Sequence, residues 1–264
     1  MSTLQQLRIG LRIHGAGWRF LRRHRTLWPW AVAPFCVQCL CLVAALTIFI
    51  THRSEFTAAV QSWLPQLATG PGPTTWGYLV QYLYAIAHWI LFLLTSGITL
   101  FLLILAAYLV GSLCAAPLNE ILAEKTEHLA TGRPEAPLVW RAVLPNAWRS
   151  IRVECGKALL LLGVPLLILP LHFIPLIGTI LGTTLSALWT TWATGFAFVD
   201  YPQSYRYLPF RTRLKFARRH ALSLLGLGIV FWLPGYLLLG TPALVVSGTL
   251  LYGTLGSAAT TEEK

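Results

Sequence analysis

The side chains best suited to chemistry in this chain are cations. Arg22, Arg23 and Arg25 stand close together in a 25-residue leader without an acid. A guanidinium offers paired planar donors to an oxyanion such as a sulfate dianion. A helix start nearby adds free N–H groups and a positive dipole end. A second basic group comprises Arg206, Arg211, Arg213, Lys215, Arg218 and Arg219. All six would form a cytoplasmic vestibule that attracts anions, and Arg211, Lys215, Arg218 and Arg219 fall close to one helical face. The competing reading of both groups is lipid anchoring and topology.

Other candidates are weaker. Glu120, Glu124 and His128 are four apart and line one helix face. That spacing suits a metal or a proton relay, but without a partner it reads as a solvated helix face. His172 and His88 are ionisable groups in apolar runs, which points to function or to hydrogen bonds with backbone carbonyls. Thr183, Thr184, Ser186, Thr190 and Thr191 supply hydroxyls for passive conduction. Cys36 and Cys39 form a C-x-x-C pair, but inside an apolar run they read as small membrane-helix side chains. No Walker motif, dinucleotide fingerprint, zinc pattern or nucleophile elbow occurs. The expectation is no enzyme, no cofactor and no metal.

The elements that position these groups are set by composition. The chain has 264 residues, 56% apolar and only 11% charged, against about 25% charged in a soluble domain. Mean hydropathy is +0.64. No full charge occurs from Phe56 to Asn119, Ala158 to Val199 or His220 to Thr261. About 20 apolar residues cross a bilayer as a helix. A soluble enzyme, a disordered chain and a secreted disulfide scaffold are excluded. The net charge of +11 follows from the positive-inside rule, so no nucleic-acid partner is expected.

The fold class expected is an all-α integral membrane protein with two long transmembrane helices, two apolar helical hairpins and cytoplasmic amphipathic helices. Residues 1–25 form a basic amphipathic segment on an anionic membrane surface, with Leu4, Leu7, Leu11, Trp18 and Leu21 at roughly helical spacing. A first transmembrane helix covers 28–50; its apolar stretch is too long for a signal peptide and reads as retained. An external loop follows at 51–75. A long second helix covers 76–114, and its pattern runs on to Ala116. It must tilt, break near Gly97 or Gly111, or project into the cytoplasm; projection is favoured. Pro117 then opens a new segment, and residues 115–157 are placed in the cytoplasm with a stop at Gly132 and Pro134.

Hairpin 1 covers 158–199 and turns between His172 and Gly178. Its first arm, Ala158 to Leu171, is only about 21 Å long as a helix, and both flanks are basic. A basic cytoplasmic segment, 200–219, leads to hairpin 2 at 220–256, which turns between Pro234 and Pro242. The hairpins either stop partway through the bilayer, where their tip backbone needs protein or water around it, or span it fully.

Ala115-Ala116-Pro117-Leu118-Asn119-Glu120, with Glu124 and Glu127, resembles the cytoplasmic motif of the CysZ sulfate permease family. Phe173-Ile174-Pro175-x-Ile177-Gly178 resembles that family's first hairpin turn. Asp200-Tyr201-Pro202 resembles its Asp-Tyr-Pro motif, and Pro234 with Pro242 its last turn. The resemblance covers nearly the whole chain in order. It implies hemipenetrating hairpins, homo-oligomeric assembly in the bacterial inner membrane with a cytoplasmic N-terminus, and channel-like sulfate entry for cysteine synthesis. Membrane lipids and an inorganic oxyanion are the implied partners. The family's anion site resembles a Gly-Leu-Arg-Arg segment before the first transmembrane helix. Its nearest match is Leu21-Arg22-Arg23, with Phe20 at the glycine position; aligned on Pro34, the matching residues are Thr26, Leu27 and Trp28. A non-transporting protein that binds lipid or scaffolds partners is the alternative function.

Overall fold

The computed structural model describes residues 3–55, 58, 75–132, 140–232 and 240–262. Among them all regular structure is helical. Helix α1 covers Thr3–Arg23, a 3-10 turn Arg25–Leu27, α2 Trp28–Thr51 and α3 Thr75–Thr131. Helix α4 covers Trp140–Ile168, a 3-10 segment Leu169–Phe173, α5 Ile177–Ser204 and α6 Phe210–Arg219. Helix α7 covers Ala221–Gly228, a 3-10 turn Ile229–Trp232 and α8 Thr241–Glu262. Among the described residues three runs are long and apolar enough to cross a membrane: Arg25–Thr51, Tyr78–Thr131 and Cys155–Phe173.

The chain forms two compact units. One holds residues 38–111, the other residues 1–37 and 112–264. In the first, Gly111 faces Gln38 and Cys41; an added Cβ would stand 3.2 Å from the Gln38 side chain. Gln38 Nε2 donates to the Tyr108 carbonyl at 3.2 Å. Gly111 therefore marks a close helix contact and not a break.

Helix α3 runs unbroken for 57 residues, through Gly97, Gly111 and Pro117. The new segment expected at Pro117 does not form. Proline inside a helix loses one hydrogen bond and crowds the preceding turn, at a cost of about 3 kcal/mol. Here Ala115, Ala116, Asn119 and Glu120 are buried on either side of it, so packing offsets that cost. The helix stops where expected: Gly132 has φ +67, the left-handed conformation that ends helices. Pro134 and Pro234 lie outside the described residues, as do residues 56–57 and 59–74 of the loop expected at 51–75; residues 53–55 of that loop are helical.

In the second unit the core joins Leu21, Leu27, Leu122, Phe196, Val199, Leu224, Leu227, Leu244 and Leu251. Helix α5 packs on α4, α7 and α8, and α1 packs on α7 and α8. The buried stripe of α1 is Gly10, His14, Gly17 and Leu21. Leu4, Leu11 and Trp18, read at helical spacing with Leu21, are exposed by 79%, 43% and 43%. Small residues, not large apolar ones, decide which side is buried. A Cβ on Gly10 would strike the Ser223 carbonyl, and one on Gly226 would stand 2.6 Å from the Leu7 carbonyl. The two helices therefore touch backbone to backbone, a geometry that glycine permits.

Candidate functional site

The three arginines sit at a fixed corner. Arg22 and Arg23 close α1, and Arg25 opens the 3-10 turn into α2. Buried Leu27 and Ala31 pin the turn to the core. The Trp28 indole N–H donates to the Leu21 carbonyl at 3.2 Å, and the His24 ring meets the Phe20 carbonyl at 3.0 Å. Pro29 stands in the first turn of α2, where its missing N–H costs least. All three guanidinium groups face outward and are exposed. The corner can hold an anion at its surface without first giving up an internal ion pair.

A buried polar cluster lies elsewhere in the same unit. Arg213 Nη1 donates to both Asp200 carboxylate oxygens at 2.8 Å. Lys157 Nζ lies 3.1 Å from Asp200 Oδ2, and all three residues are buried. The Lys157 ammonium also sits 4.7 Å from the Tyr201 ring centroid. Asn119 Nδ2 donates to the Tyr201 hydroxyl at 3.2 Å. The Ser204 hydroxyl donates to Glu120 Oε1 at 2.6 Å. Asn119 and Glu120 on α3 thus bond to Tyr201 and Ser204, within four residues of Asp200 on α5, although about 80 residues separate the two motifs. Glu120 is buried, so the solvated face expected for it is corrected: Ser204 replaces water as its partner.

Sequence reasoning singled out Asp200 but missed that Lys157 and Arg213 serve it. One signal was present: Asp200 is the only acid between Ala158 and Thr261. A lone carboxylate beside a long apolar run needs cations if it is buried. The Nε of Arg213 is itself buried without a hydrogen-bond partner.

A second cluster closes the α5–α6 connection. The Tyr205 hydroxyl donates to Glu127, and Arg206 pairs with the same carboxylate. Burial, then the bond to Glu127, pushes the Tyr205 hydroxyl up to about 12. Burial lowers the Arg206 value, but its bonds to Tyr205 and Glu127 outweigh this and leave it raised. Glu124 lies 3.8 Å from His128, one turn on. Among the described residues no group of three His, Cys, Asp or Glu is placed to hold a metal.

His172 sits in the 3-10 segment before the hairpin 1 turn. Its ring packs on Gly182, where a Cβ would stand 2.6 Å from it, and its Nδ1 is buried without a partner. Thr183, Ser186 and Thr190 share one side of α5 by helical spacing, and Thr184 lies off it. The Thr184 hydroxyl donates to the Ile180 carbonyl at 2.8 Å. The Thr191 hydroxyl donates to the Ala187 carbonyl at 2.7 Å and accepts from the Trp232 indole at 2.9 Å. Arg22, Arg23 and Arg25 form one group and Asn119, Glu120 and Asp200 lie together at another place, while His172 packs on Gly182 at the turn end of the helix that carries the hydroxyls.

Apolar helices of membrane-spanning length, with cations gathered at their ends, define a membrane protein. Residues 14–247 match the model of the family described as Sulfate transporter CysZ/Etoposide-induced protein 2.4, and the chain belongs to that family. Three relatives are each named Sulfate transporter CysZ, a name for transport and not for catalysis. The protein of Pectobacterium atrosepticum is 24% identical over 227 residues, covering 84% of this chain and 74% of its own. That of Pseudomonas aeruginosa is 28% identical over 216 residues, covering 80% and 82%. That of Vibrio parahaemolyticus is 30% identical over 137 residues, covering 51% and 54%.

Proposed function

We propose that this chain admits sulfate, or a related oxyanion, through the bacterial inner membrane for sulfur assimilation. The names of its relatives support the substrate. The observation that carries the reading is the corner of Arg22, Arg23 and Arg25, exposed and fixed where α1 turns into the first apolar span. In this reading the arginines gather the anion, and a homo-oligomer forms the path. His172, Thr183, Thr184, Ser186 and Thr190 border that path. The apolar runs carry no charge that would couple transport to protons, so passage is channel-like. The N-terminus and the two basic segments face the cytoplasm. Residues 158–199 and 220–256 form the two hairpins. The first arm of hairpin 2, α7 plus its 3-10 turn, is about 20 Å long, against about 30 Å of hydrocarbon. That length favours a second hairpin that stops partway, whereas the first arm of hairpin 1 lies within Cys155–Phe173, a run long enough to cross.

Radiolabelled sulfate flux into proteoliposomes tests the proposal. Saturable flux is expected, competed by unlabelled sulfate and lost in Arg22→Ala/Arg23→Ala with assembly retained. Absence of flux from a folded, assembled protein, across sulfate, sulfite and thiosulfate, would sink it. Cysteine accessibility at residues 174–178 tests the hairpin depth; normal-rate labelling by an impermeant reagent from outside means full spans.

A further inference from the structure

We propose that α1 docks a surface of anionic phospholipid headgroups and ties that surface mechanically to hairpin 2. Leu4, Leu11 and Trp18 are seven residues apart and drift only about 20° per step, so they form one stripe. All three are exposed, although they are among the most apolar side chains of the helix. Arg8, Arg12 and Arg19 run beside them as a second exposed row. Around the helix the order is the buried Gly10–His14–Gly17–Leu21 stripe, then the exposed apolar stripe, then the arginines.

That order suits a helix lying in the plane of a bilayer interface. The apolar stripe enters the edge of the hydrocarbon, Trp18 sits at headgroup depth, and the guanidinium groups meet lipid phosphates. Charge complementarity favours anionic over zwitterionic lipid, because no acid precedes Glu55. Placement follows from chain continuity: one 3-10 turn after Arg23, the apolar run Arg25–Thr51 begins. The C-terminal end of α1 is therefore held at the membrane boundary. The coupling comes from the opposite side of the helix. Gly10 meets Ser223 and Gly226 of α7, and Gly17 meets Ser247 of α8, at distances that leave no room for a Cβ. A lipid layer that seats α1 also seats these two helices. The proposal does not depend on what the protein transports.

The test is thermal unfolding of the purified full chain in zwitterionic micelles. Phosphatidylglycerol, phosphatidylcholine or inorganic phosphate is added in turn. Phosphatidylglycerol raises the Tm, and the other two do not. Arg8→Gln/Arg12→Gln/Arg19→Gln weakens the apparent affinity for phosphatidylglycerol roughly a hundredfold, at about 1 kcal/mol per arginine and 1.4 kcal/mol per decade. Gly15→Glu provides a second variant that removes no contact. Gly15 lies between the two rows with nothing within 4 Å of an added Cβ, and a carboxylate there reduces the phosphatidylglycerol response by repulsion. A response that survives in both variants, no response in the wild type, or an equal response to inorganic phosphate would overturn the proposal. Sulfate flux on the same preparations separates the two readings, since either property can be lost while the other persists.

Discussion

The two ends of α5 are treated in opposite ways. At the hairpin turn, Ile177 and Ile180 are exposed by 70% and 67%, and Leu181, Leu185 and Leu188 are also exposed. At the other end Phe196, Val199, Asp200, Gln203 and Ser204 are all buried. One end shows its apolar side chains and the other hides a carboxylate. A water-facing protein avoids exposing a large contiguous apolar surface. The difference supports the proposal that the turn end has hydrocarbon as its solvent, and it teaches that the far end makes its own polar interior from Lys157, Arg213, Asn119 and Glu120.

The largest effect expected on this contrast comes from Asp200→Ala. It strands Lys157 and Arg213 as buried cations, and breaking such a pair costs about 3–5 kcal/mol. Loss of monodisperse protein on size-exclusion chromatography, or a collapsed thermal midpoint, is the readout; an unchanged midpoint would mean that the cluster is solvated. At the turn end, Ile180→Arg costs about 2.5–3.5 kcal/mol of membrane insertion at bilayer depth. On a water-facing surface the same change stays within about 0.5 kcal/mol. The membrane-integrated fraction after alkaline extraction distinguishes them.

A glycine pair sharpens the comparison further. Gly195→Ala places a methyl against the Leu224 carbonyl and destabilises by about 1–3 kcal/mol. Gly163→Ala on α4, with nothing within 4 Å, stabilises by about 0.5–1 kcal/mol through helix propensity. Unfolding midpoints of the two variants should move in opposite directions. Tyr205→Phe removes one bond to Glu127, worth about 1.5–3 kcal/mol for a charged acceptor before exposure reduces it.

Two groups outside the spans give the stability a pH profile. The folded Tyr205 value is raised from 10.0 to about 12. The unfolded chain therefore loses its proton first, and stability falls as pH climbs through that window. Tyr205→Phe flattens the loss. Burial lowers the His14 value from 6.5, although the Leu227 and Gly226 carbonyls oppose the shift. Here the unfolded ring takes up its proton first, and stability falls as pH drops below about 6.5. His14→Gln removes that acid slope, as unfolding midpoints measured across pH would reveal.

Much of the helical layout is legible in the residues. Long uncharged runs read as helices and Gly132 as a stop, and the turn expected at residues 172–178 contains the bend at 174–176, with its ends taken up by the 3-10 segment and α5. Pro117 misleads, because a local rule for helix breaking cannot weigh the burial of Ala115, Ala116, Asn119 and Glu120 around it. Leu21 departs from its expected place for a related reason: it is buried in line with Gly10 and Gly17, small residues that hydrophobic periodicity does not count, while Leu4, Leu11 and Trp18 stay exposed. The arginine corner is legible as a cluster, since its members are neighbours in the chain. The Asp200 cluster is not, since its partners lie 43 and 13 residues away.

The sequence by itself determined that this chain leaves water, because charge-free apolar length is a local property that only a bilayer satisfies. It also determined where the cations gather. Only the tertiary structure decided which cations face outward and which are spent on a buried carboxylate. Burial of Arg213 and exposure of Arg22 depend on which helices approach closely enough to share a core. That approach is set by backbone contacts between glycines far apart in the chain.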